Sequence, residues 1–291
     1  MMEHKAISGL GYGCVGLATY SNLPHSLNLL NLAFDMGITY FDTAPIYSKG
    51  YSEKILGVFS RNKRDKIQIS SKFGLGGASK NLTPISWAML LNKQNKSKIH
   101  ASPGPIKSDA NISYRRIDQN QIDKNLHSSL KRLRTDYLDC FLLHEGISSF
   151  LTDESKSYLL ELKKAGKVKK IGSAVNFHHT QQDPDLSFWD VLQYENSPSY
   201  NNSDRFIQEY PKHEHIYHSC LKQIKNFHIK SIAPKDYAGL VLAYERKKNP
   251  NGKVLFATGD YNHFKHNVQT FQKYIDKPEA QLKDIIDHAL S

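Results

Sequence analysis

Apolar positions along the chain switch repeatedly between the three-to-four spacing of a helix face and the short continuous runs of buried strands. LGYGC (10–14) reads as a first strand, and Leu27, Leu30 and Phe34 mark a helix over 24–36 that Gly37 stops. ITYFD (38–42) is the next strand, followed by a short helix at 51–59 and the strand KIQISSK (66–72). Ile122, Leu126, Leu130 and Leu133 define a further helix, which leads into the strand YLDCFLLH (137–144). Leu159 and Leu162 lie on a helix over 153–165 ended by Gly166, and VKKIGSAV (168–175) follows as a strand. WDVLQY (189–194), KSIAP (230–234) and VLFAT (254–258) complete eight strand signals, the last followed by a helix carrying Phe264, Val268 and Phe271. Eight alternating units predict a single (β/α)8 barrel over residues 1–291, with one long insertion loop at about 74–117 after the third strand. A connection of that length, rich in Lys, Asn, Ser, Gly and Pro and carrying Trp87 within ISWAML, is expected to act as a lid over the mouth.

Gly11, Gly13 and Gly16 in GYGCVG have the G-x-G-x-x-G spacing of a dinucleotide fingerprint, with Asp35 further on. That fingerprint needs a helix starting at its last glycine, and here six non-helical residues intervene before a helix that contains Asp35 itself. The glycines therefore read as a strand closely packed by its neighbours.

Composition narrows the functional classes. A net charge of +11 favours anionic partners, but the lysines are spread along helices and loops with no arginine-rich block, so nucleic-acid binding is not expected. The runs KKAGKVKK (163–170) and ERKKNPNGK (245–253) read as solvated helix ends. No segment has the length of a membrane span, and MMEHKAISGLG lacks the apolar stretch of a signal peptide, which makes the cytoplasm the expected location. Cys14, Cys140 and Cys220 are odd in number and scattered, so neither a disulfide framework nor a zinc site is indicated, and the first two read as core. HEHIYH (213–218) lacks the H-E-x-x-H spacing, and no metal is expected there. The sequons NLT, NKS, NIS and NNS read as polar loop sequence.

In a (β/α)8 barrel, chemistry gathers at the C-terminal ends of the strands. The second strand ends at Asp42 and its loop carries Tyr47, the third ends at Lys72 and the fourth at His144. Singly each has an ordinary structural use as a cap, a packed ring or a solvated charge; jointly, four proton-bearing side chains converge on one rim.

The sequence resembles the aldo-keto reductase family through GITYFDTAPIYSKGYSEKILG (37–57), ISSKFG (69–74), SLKRLRTDYLDCFLLHE (129–145) and GKVKKIGSAVNF (166–177). The resemblance is continuous from about residue 9 to 195 outside the long loop, and traceable to about 272. It implies an NAD(P)(H)-dependent oxidoreductase that interconverts a small carbonyl compound (aldehyde, ketone or sugar) and its alcohol, with Asp42, Tyr47, Lys72 and His144 as the catalytic tetrad. Tyr47 would be the general acid for the nascent alkoxide, Lys72 the cation easing its proton release, Asp42 the anchor of the ammonium, and His144 the group orienting the carbonyl oxygen. It further implies that Asn176 and Gln193 hold the nicotinamide carboxamide, and that Thr258, Lys265 and Asn267 grip the adenosine phosphate and adenine. His263 stands where an arginine usually meets the 2′-phosphate, so NADP(H) is expected ahead of NAD(H).

Two departures from the family pattern stand out in the last third. APKDYAGL (233–240), taken as the seventh strand and its turn, puts Pro234 where an aromatic or arginine would stack on the nicotinamide, and 238–253 is short for a helix with its loops. These keep open a second function class, a reductase-fold protein that binds the cofactor as a sensor with little turnover.

Overall fold

The computed structural model describes residues 7, 9–17, 22–75, 116–199, 203–222, 224 and 232–290. Eight parallel strands close into a barrel in sequence order: β1 Leu10–Gly13, β2 Tyr40–Asp42, β3 Gln68–Phe73, β4 Leu138–His144, β5 Val168–Ala174, β6 Val191–Glu195, β7 Glu214–His218 and β8 Lys253–Phe256. β8 returns to β1 through the pairs Leu10–Val254, Gly11–Leu255 and Tyr12–Phe256. The connections carry helices α1 Leu23–Asp35, α2 Tyr51–Phe59, α3 Gln119–Leu133, α4 Asp153–Lys164, α5 Phe177–Gln181, α6 Ser203–Glu209, α7 Tyr237–Lys248 and α8 Tyr261–Ile275, and α9 Glu279–Leu290 follows α8. This is the (β/α)8 barrel that the alternating pattern predicts. The greater part of the expected loop and lid, residues 76–115, lies outside the described residues.

Side chains alternate along each strand between the barrel interior and the helix layer. Tyr40, Cys140, Leu142, Ala174, Val191, Ile216 and Leu255 form the small interior cluster. The larger core lies outside, between strands and helices, where Phe41, Ile69, Phe141, Ile171 and Tyr217 meet residues such as Leu30, Ile55, Leu126 and Leu159. All three cysteines are buried and free.

The seventh strand corrects the sequence reading. It is Glu214–His218, within the histidine-rich stretch, and not 230–234. Only Ile216 of this strand joins the interior cluster, while Glu214 and His218 occupy its two half-buried ends. The outward His215 is buried and satisfied, its Nδ1 paired with the Tyr194 hydroxyl at 2.9 Å and its Nε2 with Tyr210 O at 2.9 Å. A strand with one purely aliphatic residue has no apolar run to announce it. Pro234–Asp236 is instead a 3-10 turn that starts α7, so Pro234 lies on no strand. The segment 238–253, which looks short, holds most of this twelve-residue helix. α7 is buried on most of its surface and crosses α8 closely at Gly239, where a Cβ would stand 2.5 Å from Thr270 Cβ.

The glycine pattern near the N-terminus serves barrel closure. Gly11 faces the interior, where a Cβ would lie 2.5 Å from Leu255 Cδ2 and 2.9 Å from Tyr40 Cδ1. Gly16 ends a 3-10 turn, Cys14–Gly16, with no helix beginning at it, and Asp35 is the last residue of α1. Among the described residues no helix is long and apolar enough to cross a membrane.

Filling the space at Gly11 therefore tests the barrel. Gly11→Val is expected to destabilise the fold by about 1–3 kcal/mol through overpacking against Tyr40 and Leu255, read as a lowered urea midpoint. An unchanged midpoint would show that the interior accommodates the isopropyl group and that the glycine has another purpose.

Candidate active site

The interior alternation that buries Tyr40 and Cys140 brings Asp42, Lys72 and His144 to the C-terminal mouth, two, two and four residues beyond Tyr40, Ser70 and Cys140 on their strands. Lys72 Nζ donates to Asp42 Oδ1 at 2.8 Å, to Oδ2 at 2.7 Å and to Thr43 O at 3.0 Å. Both partners are nearly inaccessible, Lys72 at 2% and Asp42 at 3% exposure. Burial alone would push the ammonium pKa down; the charge of Asp42, with help from Tyr47, reverses this and holds it above its ordinary value. Lys72 is thus a cation through neutral pH.

Tyr47 enters from the turn after β2. Its 3-10 segment, Tyr47–Gly50, passes through left-handed backbone at Ser48 (φ 49°), Lys49 (φ 57°) and Gly50 (φ 90°) before α2 begins. This reversal delivers the half-buried ring between the other groups: its centroid lies 5.1 Å from Lys72 Nζ and 6.0 Å from the His144 ring, edge-on at 85°. Burial raises the Tyr47 pKa and the adjacent Lys72 ammonium opposes it, with burial prevailing. The phenol keeps its proton through neutral pH. His144 is held well below the usual imidazole range by burial, then by Lys72 and His218, and is neutral.

A fifth group belongs to the same mouth. His218, at the end of β7, has its pKa pushed down to about 4 by burial, Lys72 and Lys222. Its Nδ1 pairs with Ser219 Oγ at 2.9 Å, and Ser219 adopts φ 58°, an uncommon conformation for a non-glycine residue. The sequence signal for His218 is available in E-H-I-Y-H as the last residue of a short alternation, but it vanishes once the strand is assigned to 230–234. The turn after the strand reads Ser219–Cys220–Leu221.

The remaining expected site residues divide into three situations. Gln193, 3% exposed and flanked in register by Ala174 and Ile216, has an Oε1 with no hydrogen-bond partner. Asn176 instead caps α5: its Oδ1 accepts from His179 N at 2.9 Å and its Nδ2 pairs with His179 Nδ1 at 2.9 Å. Glu195 Oε2 accepts the next free amide of that helix, Phe177 N, at 3.1 Å. Thr258, His263, Lys265 and Asn267 lie on the segment after β8. Thr258 O accepts from Tyr12 Oη at 2.8 Å, His263 and Lys265 are exposed on α8, and Asn267 is half-buried. Asp260 caps α8, accepting from His263 N at 2.8 Å, and the neighbouring His266 is paired with Asp236 at 2.7 Å.

An amide-bearing cofactor ring is compatible with this donor set. A carboxamide N–H could satisfy the buried, unpartnered Gln193 Oε1, whereas Asn176 would have to give up its cap bonds to take part. Among the described residues no three His, Cys, Asp or Glu side chains gather as a metal site would require.

Comparison with known proteins identifies the family and the fold. The model of the Aldo/keto reductase family matches residues 9–183, and the chain belongs to that family. It is 29% identical over 206 residues to aldo-keto reductase YhdN of Bacillus subtilis, a match covering 69% of this chain and 52% of that protein. It is 28% identical over 162 residues to the NADH-specific methylglyoxal reductase of Escherichia coli, covering 54% of this chain and 43% of that protein. The chain thus aligns with about half the length of these curated relatives. A crystal structure of an aldo-keto reductase from Klebsiella pneumoniae in complex with NADPH superposes with a TM-score of 0.63 at 18% identity, covering 95% of this chain and 90% of the other, which shows a shared fold.

The depressed imidazoles give the site a pH signature. Because the folded state suppresses protonation of His218, the unfolded chain binds more protons once the pH falls below the ordinary histidine value of 6.5, and stability drains away until about 4. His144 acts in the same direction. Urea midpoints measured from about pH 7 to about pH 4.5 are expected to fall, and His218→Asn should remove on the order of 1–2 kcal/mol of that loss. The same slope in both proteins would mean that His218 is not suppressed.

Proposed function

We propose that this chain is an NAD(P)(H)-dependent oxidoreductase interconverting a small carbonyl compound and its alcohol, with Tyr47 as general acid in reduction and general base in oxidation. The observation that carries this reading is a tyrosine ring set between a buried ammonium paired with Asp42 and the ring of His144. Such a mouth suits a carbonyl oxygen that gains charge and then a proton. A bound nicotinamide would supply the hydride for the carbonyl carbon.

Every other part falls to the protein. Lys72 stabilises negative charge arriving near Tyr47 Oη, and Asp42 keeps the ammonium aimed while offsetting its burial. Tyr47 gives its proton to the oxygen; Lys72 favours the phenolate left behind. His144, neutral, can donate a hydrogen bond to the same oxygen without adding a competing charge. Gln193 Oε1 would hold the carboxamide, and the neutral His218 ring would take the stacking place that Pro234 cannot. The sensor alternative drew on Pro234 as a defect in the seventh strand; with β7 at Glu214–His218 that motive disappears.

The cofactor reading is coarser than the chemistry. One relative is named NADH-specific and a structural neighbour is described with NADPH, so similarity supports a nicotinamide dinucleotide of either kind. We assign NADP(H) preference to the exposed Lys265 and His263 on α8. Lys265→Glu is expected to weaken NADPH binding at least about tenfold more than NADH binding, as measured by fluorescence titration. Equal losses would return Lys265 to the solvated helix face.

Turnover tests the tetrad. Tyr47→Phe should leave cofactor affinity intact and lower carbonyl reduction about a hundredfold or more, followed as loss of reduced-nicotinamide absorbance over a panel of aldehydes, ketones and sugars. Lys72→Met should behave alike, and the double variant should be little worse than either, since the two act as one unit. Wild-type turnover in Tyr47→Phe would make His144 the proton donor. Tight NADPH binding with no turnover on any carbonyl would favour the sensor.

A further inference from the structure

Four contacts converge on the first turn of α2, outside the barrel. Glu53 is fully buried, and its Oε1 accepts the Ser71 hydroxyl at 2.7 Å while its Oε2 accepts Arg132 Nε at 2.5 Å. Ser52 Oγ donates to Cys14 O at 2.9 Å and pairs with Thr43 Oγ1 at 2.8 Å. Ser71 is the residue before Lys72, and Thr43 follows Asp42 and accepts from Lys72 Nζ through its carbonyl. The chain entering this turn is the left-handed run Ser48–Gly50 that directly follows Tyr47. One helical turn therefore touches the backbone neighbours of Asp42 and Lys72 while continuing the segment that carries Tyr47.

A buried carboxylate is a costly way to fill space. Its desolvation is repaid only where partners are well placed, and an apolar side chain of similar volume would pack here with less penalty. What an apolar residue could not do is fix the height of β3 against α2, because dispersion contacts tolerate sliding and a hydroxyl-to-carboxylate bond does not. The partner arginine is held as firmly: at Gly57 a Cβ would stand 2.5 Å from Arg132 O, so α2 and α3 meet backbone to backbone where Arg132 reaches Glu53. A misplacement of about 1 Å between Lys72 Nζ and the phenol is enough to cost a large factor in rate.

We infer that Glu53, acting through Ser71 on β3, is a positioning residue that sets the approach of Lys72 to Tyr47. This deepens the reductase reading and rests on it for its effect on rate, but not for its effect on the phenol itself. Arg132 neutralises the carboxylate, and Ser52 ties the same turn to Thr43 and the end of β1.

The experiment compares wild type with Ser71→Ala, Ser71→Thr and Glu53→Gln, each also made in a Tyr47→Phe background. The ultraviolet tyrosinate band, as the difference between paired proteins, then reports Tyr47 alone. In Ser71→Ala the Tyr47 titration midpoint is expected to rise by about half a pH unit or more as Lys72 draws away. Its kcat should fall about tenfold with KM near wild type, and its melting temperature should drop only as far as the loss of one partner of buried Glu53 requires. Ser71→Thr keeps the hydroxyl and should restore both. Glu53→Gln, which leaves Arg132 without a carboxylate, should move the midpoint further; if it does not fold, Ser71→Ala decides. An unmoved midpoint in folded Ser71→Ala overturns the proposal. Absence of turnover in the wild type would defeat the reductase reading instead, while the titration would still judge the positioning.

Discussion

The bond between Lys72 and Asp42 fixes the geometry of the mouth. A lysine at 2% exposure keeps its charge only because a carboxylate meets it with both oxygens and a backbone carbonyl takes a third N–H bond. The fixed cation adds to what burial imposes on its neighbours. Burial first and Lys72 second hold the imidazoles of His144 and His218 below their ordinary range, and Tyr47, though raised by burial, has an ammonium ready for the phenolate. β2 and β3 are adjacent in the barrel, so the pair spans neighbouring strand ends and also defines how those ends sit against each other.

Much of this was legible in the sequence because the informative positions end strands marked by apolar runs or by alternation, as in KIQISSK. YLDCFLLH ends at its histidine, KIQISSK at its lysine and ITYFD at its aspartate, and β2, β3 and β4 end at or within one residue of them. The glycine fingerprint was correctly set aside on helix placement alone, and the structure supplies the reason for Gly11 in the side chains it faces. The family signatures in 37–57 lie where Asp42, Tyr47 and the Ser52–Glu53 turn are built, which is why the first half of the barrel read so clearly.

The seventh strand was not legible, and its failure was physical. A barrel strand of five residues has only one or two positions deep in the interior; the others face a mouth or the helix layer, and in Glu214–His218 all but Ile216 carry polar atoms. Ile232, Ala233 and Pro234 offered a more apolar target and drew the assignment away, shortening α7 on paper and displacing His218 from the site. Asn176 shows a different limit. A strand-end asparagine can cap a helix or reach a ligand, and the sequence does not distinguish the two; here both of its polar atoms are committed to His179.

The left-handed run Ser48–Lys49–Gly50 has a bearing on how this protein tolerates change. Two of its residues carry side chains in a conformation that costs each of them about 1 kcal/mol or more relative to glycine. Selection for heat resistance would find its gain at the exposed Lys49, where a glycine relieves the strain, whereas at Ser48 it would also remove the hydroxyl that donates to Leu17 O. The same relief frees the hinge that delivers Tyr47, so a sturdier variant would hold its phenol more loosely. Durability and aim are opposed within three consecutive residues.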